Sequence, residues 1–269
     1  MDLGLAGRNC AVTGASRGIG RATARGLAEA GAGVLLIARG EQDLAEAASE
    51  CERSAGPGAR IATLAADVTA ADAPDRVPAT AERELGGLDV LVNNAGSAAW
   101  RDLDDVPEAD WYAAYEINVM APLRLIQAVL PAMRERGWGR VVNVASTAGK
   151  RPSSMMPEYS VAKAAQLSLS RLFADRVAAE GILVNAVCPG PAKSEMWMQE
   201  GGLLDQSQEQ AGLGSREEAL EAVGAKRPIG RLAEVDEIAA TIVFLCSERA
   251  GYVAGAAWSV DGGTVQVIV

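Results

Sequence analysis

A tyrosine and a lysine lie four residues apart in the segment MMPEYSVAKAA, residues 155–165. Pro157 suits the first turn of a helix, so Tyr159 and Lys163 are predicted to lie one turn apart on one helical face. The chain contains no histidine, the only side chain whose unperturbed pKa lies near neutrality. An ammonium beside a phenol stabilises the phenolate, so we expect Lys163 to lower the pKa of Tyr159 from about 10. The pair is therefore a candidate acid–base catalyst.

A second candidate site is the glycine-rich segment AVTGASRGIG, which follows an apolar run and precedes an amphipathic one. Gly14, Gly18 and Gly20 let the backbone approach a pyrophosphate closely, and the N-terminus of the following helix presents free amides to it. The spacing G-x-x-x-G-x-G differs from the commoner G-x-G-x-x-G fingerprint, and glycines alone also suit an ordinary strand-to-helix turn. The ligand that this segment favours is a dinucleotide.

The end of the second apolar run indicates which dinucleotide binds. NAD-binding folds carry a carboxylate there for the adenosine ribose hydroxyls, whereas VLLIARG has Ala38 in that place and Arg39 beside it. Arg39 and Arg17 are two guanidiniums that suit a 2′-phosphate through charge-assisted hydrogen bonds. We expect NADP(H), with NAD(H) possible; the alternative is that Arg39 is a solvated surface residue.

Composition excludes several classes of partner. The net charge of -10 argues against non-specific binding to nucleic acid or to an anionic membrane, since both need an excess of Lys and Arg. The four cysteines are scattered without Cys-x-x-Cys spacing, so neither a disulfide framework nor a metal site is expected. No apolar run approaches the roughly 18 residues that span a bilayer, and no secretory signal is evident at the start. A cytoplasmic location is the expectation.

These residues require an α/β fold to position them. Seven short apolar runs rich in Val, Ile and Leu are predicted strands: NCAVTG, GVLLIA, RIATLAAD, LDVLVNNAG, GRVVNVAS, ILVNAVCPG and AAWSVDGG. Six helical patterns alternate with them, at about 18–30, 41–53, 75–85, 107–136, 157–180 and 234–247. The strand segments are continuously apolar, and strands alternate with helices along the chain. These two features predict one doubly wound Rossmann domain over residues 1–269, with a seven-stranded parallel sheet and helices on both faces.

Two further expectations concern the helices. Pro78, Pro122 and Pro131 predict a kink or a late start in the third and fourth helices. Val161, Ala165, Leu169, Phe173 and Val177 recur every four residues and predict a buried stripe on the fifth.

The segment from about residue 194 to 226 is rich in Gly, Gln and Glu and lacks a strand pattern. It is predicted to be a substrate lid, the alternative being a disordered loop.

Taken together, these motifs resemble the short-chain dehydrogenase/reductase family of the simple cytosolic type. The resemblance extends over essentially the whole chain and rests on Thr13-Gly14-x-x-x-Gly18-x-Gly20, Asp67-Val68, Asn93-Asn94-Ala95-Gly96, Asn118 in YEINVMAP, Ser146 thirteen residues before Tyr159, Lys163, and Pro189-Gly190. In these motifs the chain is similar to 3-oxoacyl-acyl-carrier-protein reductases. The activity implied is interconversion of a carbonyl and a secondary alcohol by hydride transfer with NADP(H).

The resemblance implies a catalytic set of Asn118, Ser146, Tyr159 and Lys163. Tyr159 would donate a proton to the carbonyl oxygen, or accept it from an alcohol, and Ser146 would hydrogen-bond the same oxygen. Lys163 would bind the nicotinamide ribose, and Asn118 would hold a water that links Lys163 to solvent.

The resemblance also implies the cofactor-binding residues. Asp67 and Val68 would line the adenine, Asn94 to Gly96 the ribose, and Ala192 and Ser194 the nicotinamide carboxamide. Asp67 taken alone equally suits a cap. The full set is Gly14, Ser16, Arg17, Gly18, Ile19, Gly20, Arg39, Asp67, Val68, Asn94, Ala95, Gly96, Tyr159, Lys163, Pro189, Gly190, Ala192 and Ser194.

The substrate is less constrained. Met155, Met156, Met196, Trp197 and Met198 favour an apolar small-molecule carbonyl or alcohol, although they equally suit a closed lid.

A carrier-protein substrate is the first alternative. Gly137 and Glu180 occupy places where such reductases tend to carry arginine, while Arg134, Arg136 and Arg151 remain as basic candidates. A non-catalytic NADPH-binding sensor is the alternative from another class.

Family resemblance favours a homotetramer, with the helices of Asn118 and Tyr159 facing their mates. The apolar tail GGTVQVIV is expected to pack against its own subunit or across an interface.

Overall fold

A seven-stranded parallel sheet forms the centre of the molecule in the computed structural model, which describes residues 2–266. The strands are β1 (Asn9–Thr13), β2 (Gly33–Ala38), β3 (Ile61–Ala65), β4 (Val90–Asn93), β5 (Gly139–Val144), β6 (Ile182–Pro189) and β7 (Ala257–Val260), in the order β3-β2-β1-β4-β5-β6-β7. The first three strands are added towards one edge of the sheet and the last four towards the other, so the strand order reverses between β1 and β4. Ligands bind at this reversal point in folds of this type. The predicted Rossmann fold is confirmed.

The helices are α1 (Gly18–Glu29), α2 (Glu41–Ser54), α3 (Ala73–Leu85), α4 (Glu108–Tyr115), α5 (Ala121–Arg136), α6 (Pro157–Val177), α7 (Glu195–Met198), α8 (Leu203–Ala211), α9 (Arg216–Ala225) and α10 (Val235–Cys246). Helices α1, α2 and α10 cover one face of the sheet, and α3, α5 and α6 cover the other. Successive strand residues point to opposite faces, so Val12 and Leu36 belong to the first core and Ala11 and Leu35 to the second. Burial on both faces explains the continuous apolarity of the central strands.

The predicted helix at 107–136 is divided. A π-helical turn, Glu116–Met120, separates α4 from α5, and Pro122 lies in the first turn of α5. Pro131 lies inside α5, and α3 begins at Ala73 and continues through Pro78, so neither proline gives a late start, and a kink at either one stays a prediction. Sequence periodicity does not distinguish a π turn from a regular one.

The buried face of α6 differs from the predicted stripe. Val161 is 52% exposed, and Ala165, Leu169 and Phe173 are only partly buried, whereas Val177 is buried. The buried residues instead include Lys163, Gln166, Ser170 and Ala174. The face turned to the sheet is thus largely polar, and an apolar face is left outside.

The segment 194–226 is helical, which the sequence did not predict. Helices α7, α8 and α9 form their own apolar cluster around Leu204, Ala219, Val223 and Leu232. This cluster explains how a segment rich in polar residues is ordered. Movement of the segment as a lid stays a prediction.

Two observations complete the fold. Among residues 2–266, no helix combines the length and apolarity that would be needed to cross a bilayer. The end of the tail GGTVQVIV, residues 267–269, lies outside the described residues, and so does its expected packing.

Candidate active site

A cleft of about 920 Å³ runs along the carboxyl ends of the parallel strands. Nearly all of the residues predicted from the sequence line it: Gly14, Ser16, Arg17, Gly18, Ile19, Arg39, Asp67, Val68, Asn94, Ala95, Gly96, Ser146, Tyr159, Lys163, Pro189, Gly190, Ala192 and Ser194. Gly20 and Asn118 do not line it, and both are buried behind its wall. The fold therefore brings the predicted catalytic residues and the predicted cofactor-binding residues together in one cleft.

The glycine loop needs its glycines for two different reasons. Gly14 and Gly18 have φ angles of 64° and 55°, a region that other residues rarely adopt. A Cβ on Gly20 would lie 2.2 Å from the carbonyl oxygen of Gly14 and 2.4 Å from Nδ2 of Asn94. Gly20 thus allows the loop to close onto α1, and the cradle left in front of the α1 N-terminus suits a pyrophosphate.

Thr13 and Asn94 join the ends of β1 and β4. Oγ1 of Thr13 accepts hydrogen bonds from the backbone N–H groups of Asn94 (2.9 Å) and Ala95 (3.0 Å). Nδ2 of Asn94 donates to the carbonyl oxygens of Thr13 (3.0 Å) and Gly14 (3.2 Å). The Asn94 amide group therefore fixes the glycine loop, a role that the sequence analysis missed.

At the other end of the cleft, Arg39 and Asp67 follow β2 and β3. The backbone N–H (2.9 Å) and hydroxyl (2.7 Å) of Thr69 donate to Asp67, and with Arg39 they hold its carboxyl pKa below the ordinary value. Asp67 is thus both a turn residue and a lining residue. Asp43, in the first turn of α2, also lines this end and was not predicted.

Ser146 and Tyr159 are brought together by close packing of the turn after β5 against α6. A Cβ on Gly149 would lie 2.8 Å from the carbonyl carbon of Lys163, so this glycine permits the approach. Ser146 caps the turn by accepting from the N–H of Ala148 (3.1 Å). Burial raises the pKa of Tyr159 to about 12, although the neighbouring hydroxyl of Ser146 acts in the opposite direction.

Lys163 is 2% exposed. Its Nζ donates to the carbonyl oxygen of Val144 (2.7 Å) and to Oε1 of Gln166 (3.0 Å), and lies 5.5 Å from the centre of the Tyr159 ring. Burial lowers the pKa of Lys163 to about 7. The expectation that Lys163 lowers the pKa of Tyr159 is wrong here, because burial dominates both groups. The group that titrates near neutrality is the lysine.

Asn118 is held by the π turn. Its Nδ2 donates to the carbonyl oxygen of Ala114 (2.8 Å), while its buried Oδ1 has no hydrogen-bond partner among residues 2–266. The Cα of Gly96 packs beside both groups, because a Cβ there would lie 3.1 Å from Oδ1 of Asn118 and 3.7 Å from Nζ of Lys163. The free acceptor therefore lies in the same small region as the lysine.

The side of the cleft beyond Tyr159 has mixed chemistry. Met156, Met196 and Trp197 line it as predicted, whereas Met155 and Met198 do not. Trp100, Leu203, Arg151, Arg227, Thr264 and Val265 also line the cleft and were not assigned to it from the sequence. These residues carry no spacing signal, because the lid and the loops after the strands bring them together only in three dimensions.

The chemistry of the cleft follows from its donor groups. Residues 2–266 contain no group of three or more His, Cys, Asp and Glu side chains placed to hold a metal ion. Loop amides, guanidiniums, two hydroxyls and a lysine instead suit an anionic dinucleotide beside a carbonyl group.

Comparison with known proteins agrees with this chemistry. A family model described as short chain dehydrogenase matches residues 8–202. D-beta-hydroxybutyrate dehydrogenase from Cupriavidus necator is 33% identical over 97% of this chain and 99% of its own. Cis-4-hydroxycyclohexanecarboxylate dehydrogenase from Sinomonas cyclohexanicum is 38% identical over 99% of this chain and 100% of its own.

A solved structure is also similar over the whole chain. L-sorbose reductase from Gluconobacter frateurii, in complex with NADPH and L-sorbose, superposes with a TM-score of 0.92 at 35% identity and covers 100% of both chains.

Proposed function

Because this chain belongs to the short-chain dehydrogenase family of oxidoreductases, we propose that it interconverts a carbonyl and a secondary alcohol with NADP(H). The observation that carries the proposal is that Ser146, Tyr159 and Lys163 line the same cleft as the glycine loop. Bound NADPH supplies the hydride. The chain's own residues bind the reactants and handle the proton.

The cofactor would be held from its two ends. The free amides at the start of α1 and the glycine loop suit the pyrophosphate. Arg17 and Arg39 suit a 2′-phosphate, while the carboxylates of Asp43 and Asp67 line the same cleft and Asp67 is held by Thr69. The pair of guanidiniums favours NADP(H) over NAD(H), and the similar L-sorbose reductase structure contains NADPH.

Tyr159 is the proposed proton donor to the carbonyl oxygen. A pKa of about 12 keeps the phenol protonated through the neutral range, as an acid in the reductive direction requires. The hydroxyl of Ser146 would hydrogen-bond the same oxygen and stabilise the developing negative charge.

Lys163 is the proposed link to solvent. With a pKa of about 7, it exchanges its proton near neutrality and restores the Tyr159 proton after each turnover. Oδ1 of Asn118, buried without a partner among residues 2–266, would accept from a water beside Lys163 and complete the relay. A histidine-free site obtains its neutral titrating group in this way.

A carrier-protein substrate is less supported than a small one. Arg134 pairs with Glu180, and Arg136 pairs with Asp89 (3.2 Å), so both guanidiniums are engaged within the subunit. Of the three basic candidates, only Arg151 has no carboxylate partner in the described part of the chain. A homotetramer and a cytoplasmic location stay predictions.

Turnover with purified protein tests the proposal against the alternative of a non-catalytic sensor. NADPH oxidation is followed against a panel of aliphatic, alicyclic and aromatic ketones for the wild type and Tyr159→Phe, and NADPH affinity is measured for both. We expect turnover by the wild type, turnover at least about a hundred-fold slower by Tyr159→Phe, and equal NADPH affinity for both. NADPH binding without oxidation of any ketone would favour the sensor, and equal turnover by both proteins would contradict the mechanism.

A further inference from the structure

Four arginines line the cleft: Arg17, Arg39, Arg151 and Arg227. The chain has 35 Asp and Glu against 25 Lys and Arg, and most of its arginines pair with a carboxylate. Within residues 2–266, however, none of these four has a carboxylate oxygen within 4.0 Å. In so acidic a protein, unpaired arginines collected in one cleft indicate anionic ligands.

Two of the four carboxylates that line the cleft are engaged by other residues. Asp67 is bound by Thr69, and Glu116 pairs with Arg124. Oε2 of Glu195 lies at the glycine loop, 3.1 Å from the position of a Cβ on Gly18, and Asp43 lies at the start of α2. Arg17 and Arg39 account for the nucleotide end. Arg151 and Arg227 are left without an assigned anion.

Arg227 is the more constrained of the two. It follows α9 and packs against the turn after β7, with its Cβ 4.0 Å from the position of a Cβ on Gly262. One of its Nη groups donates to the carbonyl oxygen of Val223, while its buried Nε has no partner within the described residues. Burial lowers its pKa from the ordinary value, and no carboxylate offsets that effect. A cation held this way is costly unless a ligand neutralises it.

Part of the cleft wall is apolar. Trp100, Met156, Trp197 and Leu203 line the same cleft. Such walls suit a hydrocarbon body, and a guanidinium suits a carboxylate through paired hydrogen bonds.

We propose that the substrate is a small oxo acid or hydroxy acid with an apolar body, whose carboxylate is bound by Arg227 while its carbonyl or alcohol group faces Tyr159. Arg151, exposed on the turn after β5, lines the same cleft and adds positive potential to it. This inference rests on the proposed function and adds to it the class of substrate.

Matched ketone pairs test the inference. Reduction of 3-oxobutanoate, 4-oxopentanoate and 4-oxocyclohexanecarboxylate by NADPH is compared with reduction of their methyl esters. The proteins are the wild type, Arg227→Gln, Arg227→Lys and the control Arg53→Gln, which alters an exposed and unpaired arginine at the end of α2. Melting temperature and NADPH affinity are measured for each.

A charge-assisted hydrogen bond corresponds to about a ten- to hundred-fold effect. We expect the wild type to prefer at least one acid over its ester by that factor in kcat/KM. Arg227→Gln should remove the preference through KM, with ester reduction and NADPH affinity unchanged. Arg227→Lys should restore part of the preference, and Arg53→Gln should retain all of it.

Three results would overturn the inference. A wild type that reduces esters or other neutral ketones but prefers none of the acids leaves the proposed function intact and removes the substrate class. An Arg227→Gln protein that loses acid and ester reduction equally assigns the residue to lid packing. One that loses NADPH affinity assigns it to the cofactor.

One further measurement covers a variant that does not fold. If Arg227→Gln does not fold, competitive inhibition of the wild type by cyclohexanecarboxylate, compared with its methyl ester, decides the question by the same ten-fold criterion. If no ketone is reduced with either nicotinamide cofactor, the proposed function fails first.

Discussion

At the scale of single residues, the site divides proton chemistry between Tyr159, which lines the cleft, and the buried Lys163. Burial shifts the pKa of Tyr159 upward to about 12 and that of Lys163 downward to about 7. The tyrosine is therefore a stable acid, and the lysine is the group that responds to pH near neutrality. A histidine is unnecessary because the low-polarity surroundings lower the pKa of the Lys163 ammonium into the range in which a histidine titrates.

The lowered pKa of Lys163 has a consequence for stability. Below pH 7 both states carry the proton, and the folded protein bears the full cost of a buried ammonium. Between about pH 7 and the ordinary lysine value of 10.5, the unfolded chain binds one more proton than the folded one, so the free energy of unfolding rises with pH. We expect this rise, about 1 to 2 kcal/mol from pH 7 to pH 8.5, to be absent in Lys163→Met.

Urea unfolding at these two pH values measures the effect. The control is Lys226→Met, which alters an exposed lysine after α9 and should keep the wild-type rise. A Lys163→Met protein with the same rise as the wild type would show that Lys163 is not the titrating group.

Arg39 is expected to set the preference between cofactors. Arg39→Ala should weaken NADPH binding by about ten- to a hundred-fold through loss of a charge-assisted contact, and should leave NADH binding nearly unchanged. Calorimetric titration with both cofactors, with Arg53→Ala as the matched control, measures this. Equal weakening for NADPH and NADH would place Arg39 away from the 2′-phosphate.

At the scale of elements, parts that follow from local pattern were predictable and parts that depend on tertiary contacts were not. The five central strands could be located because strands buried on both faces are continuously apolar. The α6 stripe was wrong because polar contacts of Lys163 and Ser170 turn the other face of that helix to the sheet. Helices α7 to α9 were missed because their apolar cluster joins residues as distant as Leu204 and Leu232.

In the site, too, local motifs were predictable from the sequence and tertiary contacts were not. Spacing placed Tyr159, Lys163 and the glycine loop, because these motifs are local. Neither the role of Asn94 in fixing the loop nor the position of Arg227 could be predicted, since both depend on contacts with distant segments.

Closure of the glycine loop onto α1 depends on Gly20. A Cβ there would clash with backbone of the loop, so we expect Gly20→Ala to lower stability by about 1 to 3 kcal/mol and to weaken NADPH binding at least ten-fold. The control is Gly214→Ala, where the nearest atom would lie at an ordinary 3.4 Å. Thermal unfolding and NADPH titration that gave wild-type values for Gly20→Ala would contradict this close approach.

At the scale of the whole molecule, four arginines line the cleft, and a group of exposed apolar side chains lies on α4 and α6. The net charge is -10, yet the arginines that line the cleft have no carboxylate partner among residues 2–266. Helices α4 and α6, which pack together, leave Tyr112, Tyr115, Val161 and Leu172 exposed. An exposed apolar surface of this kind favours association, in agreement with the predicted homotetramer.

Substitution on that surface tests the assembly. We expect the wild type to sediment as a tetramer and Val161→Asp to give smaller species, because a charge at a buried interface is costly. Leu103→Asp alters a residue of similar exposure outside these two helices and should remain tetrameric. A monomeric wild type would remove the expectation.

The central claim is that Tyr159 protonates a carbonyl reduced by hydride from NADPH, and a single turnover with NADPH that carries deuterium at both C4 positions tests it most directly. Rapid quenching and mass spectrometry follow the alcohol formed from a ketone accepted by the wild type. We expect one deuterium on the carbinol carbon, and the same product from Tyr159→Phe about 10² to 10⁴ times more slowly with unchanged NADPH affinity. Product formation by Tyr159→Phe at the wild-type rate, or alcohol without deuterium, would contradict the claim.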